Sequence, residues 1–133
     1  MKPRTPHLLV AISSHGFGHL AQISPVISAL EGLSQSQQAP GFNLTIRSCL
    51  PHTQLARRIK RPFTVDAGSD DFGMVMHDAL KVDVVRSLQR YADLHRNWDS
   101  EVNRLASHLL TLDVSCLLAD APYLTLAAAH AAK

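Results

Sequence analysis

Cysteine is scarce in this chain. Its two cysteines, Cys49 and Cys116, do not form a CxxC pair, so nothing in their spacing points to zinc or dithiol redox chemistry. Both fall in apolar segments predicted as strands, where free thiols are expected to be buried. Long hydrophobic runs are also lacking: no run approaches the ~20 residues of a membrane span. The apolar run after the basic N-terminus is too short for a signal peptide, and no small-residue cleavage pattern follows it. A cytoplasmic protein without a transmembrane segment is therefore expected. Charge is modest, with 18% charged residues and a formal net charge of +2. The single dense basic cluster, Arg57-Arg58-Ile59-Lys60-Arg61, reads as a solvated helix end. No aromatic-rich basic groove accompanies it, so nucleic acid is not an expected partner. Internal repeats and low-complexity tracts are absent.

What remains is enough for a folded domain. Hydrophobic residues make up 46% of the 133 positions, which supports one domain spanning residues 1–133 with a real core. Residues 7–13 form a continuous apolar strand of the kind buried on both faces of a parallel sheet. A helix is predicted over 20–33, with Pro25 in its first turns, where a missing N–H costs least. Strands follow at 42–49 and 63–67, separated by a short helix at 51–59. Residues 68–81 read as an irregular loop, and its polar Gly68-Ser69-Asp70-Asp71 and His77-Asp78 as solvated surface. One long helix is predicted over 82–110, capped by Asp83, with Val85, Leu88, Ala92, His95, Trp98, Val102, Leu105 and Leu109 in a single stripe and Trp98 as a core anchor. A fourth strand at 114–119 leads to an alanine-rich helix started by Pro122.

Strands alternating with helices imply an α/β fold: a Rossmann-like parallel sheet, naturally of order 3-2-1-4, with helices on both faces. Ligands bind beyond the carboxyl ends of the strands where such an order reverses. Here those ends carry Ser13-Ser14-His15-Gly16-Phe17-Gly18-His19 and Asp120-Ala121-Pro122, about a hundred residues apart in sequence. Strand four would be left as an exposed edge and the last helix lacks a capping glycine, so a fragment of a longer protein, or half of a site completed by another chain, is expected.

His19 is the candidate general base, and Asp120 the carboxylate that would hold its tautomer. The bland alternative makes His19 a helix-start residue bonded to backbone and Asp120 an N-cap. His15 and His19 spell His-x-x-x-His, but the spacing crosses a glycine turn, and no metal is expected. Residues 16–21 match the dinucleotide pattern G-x-G-x-x-A. The second strand ends in Arg47-Ser48-Cys49 with no acid for a ribose, although Arg47 could serve a 2′-phosphate, which keeps an NADP-binding Rossmann domain as an alternative.

The strand followed by Gly-Phe-Gly-His-Leu, and the later Leu118-Ala119-Asp120-Ala121-Pro122, resemble the N-terminal half of GT-B glycosyltransferases. A closer resemblance covers most of the chain. His15-Gly16-Phe17-Gly18-His19, Asp71-Phe72-Gly73, Asp78-Ala79-Leu80-Lys81-Val82-Asp83 and Ser87-Leu88-Gln89-Arg90-Tyr91 look like the glycosyltransferase-like N-terminal domain fused to arabinokinase, and like related bacterial proteins. The resemblance implies an incomplete GT-B unit on the acceptor side, with catalytic His19 and Asp120 and with His15, Gly16, Phe17, Gly18 and Pro122 contacting substrate. It implies a nucleotide sugar such as a UDP-sugar as co-substrate, no separate cofactor, and a small-molecule or glycan acceptor. The donor-binding C-terminal domain and the kinase phosphate loop are both absent from these residues. A non-catalytic sugar- or nucleotide-binding module of an arabinokinase-like protein is the alternative.

Overall fold

The computed structural model describes residues 4–15, 17–68, 70 and 73–133. Strand β1 (His7–Ile12) lies inside the sheet, between β2 (Asn43–Arg47) and β4 (Cys116–Asp120). Strand β3 (Thr64–Asp66) pairs with the far side of β2, and all pairs are parallel, in the order 3-2-1-4. The fold is thus α/β and Rossmann-like. Successive β1 side chains point to opposite faces, and both faces are covered. Leu8, Val10 and Ile12 pack with Leu20, Ile23 and Ile27 of α1 (Gly18–Gln35) and Leu55 of α2 (His52–Arg58). Leu9 and Ala11 pack on the other side with Leu105 and Leu109 of α4 (Trp98–Thr111) and Leu124 and Ala128 of α5 (Tyr123–Ala131). Double coverage explains the unbroken apolar run of β1.

The structure corrects several details of the sequence reading. Helix α1 begins two residues early, so Pro25 sits in its interior, where it cannot donate to the Ala21 carbonyl. The predicted helix over 82–110 is two helices, α3 (Val84–Arg96) and α4, divided at Asn97, which has φ −121° and ψ 38°. Leu94, Trp98, Val102, Leu105 and Leu109 reach the core, whereas Val85 and Leu88 are 78% and 64% exposed. A straight helix cannot lay the whole stripe on this short sheet, and asparagine is a poor helix former at which to break. Asp83 does cap α3, accepting the Arg86 N–H at 3.0 Å. Trp98 is a partly buried member of the α4/α5 core and stacks on His95 and Tyr123.

Neither cysteine is buried. Strand β2 stops at Arg47, leaving Cys49 in the following loop, and Cys116 opens the edge strand β4. No helix among the described residues is long and apolar enough to cross a membrane.

Leu9 is completely buried at the centre of the α4/α5 face. Leu9→Ala should lower unfolding stability by about 2–5 kcal/mol, as measured by urea denaturation.

Candidate functional site

The sheet order reverses beside β1, since β2 follows it on one side and β4 flanks it on the other. Ile12 is in register with Asp120, and the Ser13 N–H donates to the Asp120 carbonyl at 3.3 Å. The last residue of β4 is therefore pinned beside the loop that leaves β1. That loop enters α1 at Gly18, which places His19 in the first turn.

His19 Nδ1 lies 3.0 Å from Asp120 Oδ2. An ionised carboxylate only accepts hydrogen bonds, so the ring must carry its proton on Nδ1. In the neutral ring the lone pair is then on Nε2, which makes no hydrogen bond among the described residues. The two side chains are 31% and 24% exposed, so the pair is sheltered yet reachable. The alternative cap role does not apply to Asp120: Pro122 is the N-cap residue of α5, and no side-chain cap hydrogen bond is made there among the described residues. A ring held this way can take a proton at Nε2 while Asp120 balances the imidazolium that forms.

The other predicted site residues are arranged around this pair. His15 is exposed, and its N–H donates to Ser13 Oγ at 3.2 Å. Gly73 lies against it with φ +57°, where a Cβ would stand 3.4 Å from His15 Nδ1. That residue of the 68–81 segment thus borders the loop after β1. Phe17 is 63% exposed just ahead of α1, and Gly18 has open space around its Cα. Pro122 is buried, so its ring supports the start of α5 and does not face outward. Gly16 lies outside the described residues, as do Ser69, Asp71 and Phe72. No group of three or more His, Cys, Asp or Glu among the described residues is placed to hold a metal ion.

Ala121, between Asp120 and Pro122, has φ +73°. For a residue with a Cβ this left-handed conformation costs about 1–2 kcal/mol. The turn that carries Asp120 into α5 is therefore under strain.

The sequence reading missed a second polar cluster. Arg47, offered there to a phosphate, is buried among carboxylates. Its Nε and Nη2 donate to Asp70, the latter at 2.8 Å, and its Nη1 donates to Asp66 at 2.6 Å. Burial opposes the guanidinium charge, but Asp70 and Asp66 outweigh it and hold the pKa above its ordinary value. Thr125 Oγ1, fully buried in α5, donates to Asp70 at 2.5 Å. His108 Nε2 of α4 stands 3.0 Å from both oxygens of Asp66. Asp70, expected on a solvated loop, is only 3% exposed. Gly68 permits the packing, because a Cβ there would collide with the Arg47 guanidinium. One signal was available: an arginine inside an apolar strand demands acids, and Asp66 is its register partner on β3. Nothing in the sequence pattern marks Thr125.

Two stability outcomes follow from this geometry. Asp70→Asn should cost about 3–5 kcal/mol in chemical denaturation, because it leaves a buried guanidinium poorly paired. Ala121→Gly should raise the unfolding free energy by up to about 1 kcal/mol, since glycine adopts the same backbone without its steric penalty.

Comparisons of the chain with protein-family models, with curated proteins and with solved structures give no match in any of the three.

Proposed function

We propose that this chain is the acceptor-side Rossmann-like unit of a GT-B-type glycosyltransferase, a cytoplasmic enzyme that moves a sugar from a nucleotide-sugar donor to an acceptor hydroxyl. The observation that carries the reading is the 3.0 Å contact between His19 Nδ1 and Asp120 Oδ2, which joins two residues about a hundred positions apart. Partial shelter of both side chains supports it, as does their place where the strand order reverses. The motif resemblance described above supplies the substrate class.

In this mechanism His19 Nε2 removes the proton from the acceptor hydroxyl. The freed oxygen forms a bond to the anomeric carbon, while the bond from that carbon to the nucleotide diphosphate breaks and the diphosphate leaves with the electron pair. Asp120 keeps the ring oriented and compensates its positive charge. His15, Phe17 and Gly18 border the acceptor. A second unit, in a partner chain or a further domain, would bind the donor.

The test is a transfer assay with that donor-binding unit, a UDP-sugar and a hydroxyl acceptor. His19→Ala should lower kcat/KM by about 10²–10⁴-fold, the usual contribution of a general base. Asp120→Asn should also lower it, because the amide no longer enforces the Nδ1–H tautomer. An unchanged kcat/KM for His19→Ala would refute the mechanism.

A further inference from the structure

The basic cluster of α2 and the first turn of α1 border one open pocket of about 500 Å³. Its walls include Phe17, Gly18 and Ala21 from the α1 side and Gln54, Arg57 and Arg58 from α2. The four basic residues of the cluster divide into two kinds. Arg61 pairs with Glu31 and lies over the Phe42 ring, and Lys60 donates to the Ala56 carbonyl at 3.3 Å. Arg57 and Arg58 make no hydrogen bond or ion pair among the described residues, and both line the pocket. Among the described residues, no aspartate or glutamate lines it. The first turn of α1 has no acidic residue and no side-chain cap, so its positive end adds to the same field. Both guanidinium groups are exposed and stand ready to donate charge-assisted hydrogen bonds to phosphate oxygens.

We infer that this pocket binds a phosphate-bearing small molecule, with Arg57 and Arg58 on its phosphate oxygens, Gln54 as a further donor and Phe17 against its carbon skeleton. The inference rests on the proposed function in one respect: Phe17 and Gly18 border both this pocket and the His19 loop. It extends that reading by giving the ligand a phosphate group. A simpler role for the arginines, complementing the α2 dipole, would require neither a shared pocket nor any affinity for anions.

The test is a titration of the ¹⁵N-labelled chain with inorganic pyrophosphate at constant ionic strength, followed by backbone amide and arginine Nε–H signals. Saturable shifts at Gly18, Gln54 and the Arg57 and Arg58 side chains are expected. Arg57→Gln/Arg58→Gln should weaken binding by about tenfold or more, the scale of losing charge-assisted hydrogen bonds. Arg104→Gln, which removes a surface arginine paired with Glu101, should leave binding unchanged. Failure of the wild-type arginine signals to shift overturns the inference even if the double variant does not fold, as does equal binding by a folded double variant. His19→Ala should bind pyrophosphate normally while losing transfer. Loss of the phosphate site and loss of the base mechanism are therefore read separately.

Discussion

The buried charge of Arg47 is the constraint around which the carboxyl end of the sheet is arranged. A guanidinium in an apolar interior is tolerated only when its donors are matched by acceptors. Asp66 is supplied by β3 and Asp70 by the segment that follows it, while Thr125 of α5 and His108 of α4 hold the two carboxylates. One cation thereby ties the β3 edge of the sheet to the helices of one face. The tie also fixes α5, whose N-terminus follows Asp120 by only a strained turn. The position of the Asp120 carboxylate next to His19 thus depends on a cluster that touches neither residue directly.

The His19–Asp120 pair shows how chain topology makes chemistry from residues that are remote in sequence. Parallel register places Ile12 opposite Asp120, and the first turn of α1 returns His19 toward the same end. The imidazole is oriented from one side and left open on the other, the arrangement that accepting a proton from a bound group would require. Ser14 stiffens the neighbouring loop by accepting the Cys49 N–H at 2.8 Å.

Strand order, strand direction and the meeting of residues 19 and 120 were legible because β1 is continuously apolar and the strand–helix alternation is regular. Those signals are local in sequence and strong. The break at Asn97 was not legible, since the i, i+3, i+4 stripe continues through it and only the short sheet decides which part is covered. Exposure of Cys49 and Cys116 depended on where each strand begins or ends, the weakest feature of any periodic pattern. The burial of Asp70 depended on a partner 23 positions away. Arg47 itself was noticed, but its environment is a tertiary property that spacing does not encode.

The division at Asn97 also shapes how motion is distributed. Helix α4 is anchored in the core, whereas α3 is attached through Ser87, whose Oγ accepts the Val75 N–H near its start, and through Leu94 and the stack of His95 on Trp98 and Tyr123 near its end. Thirteen residues are too few to remain helical without tertiary support. Unwinding of α3 therefore sacrifices little apolar burial, and its amide protons belong to the low-protection end of the exchange spectrum. The Asn97 joint lets that fraying stop before Trp98, so fluctuations on this flank are absorbed before they reach the helix that carries His108.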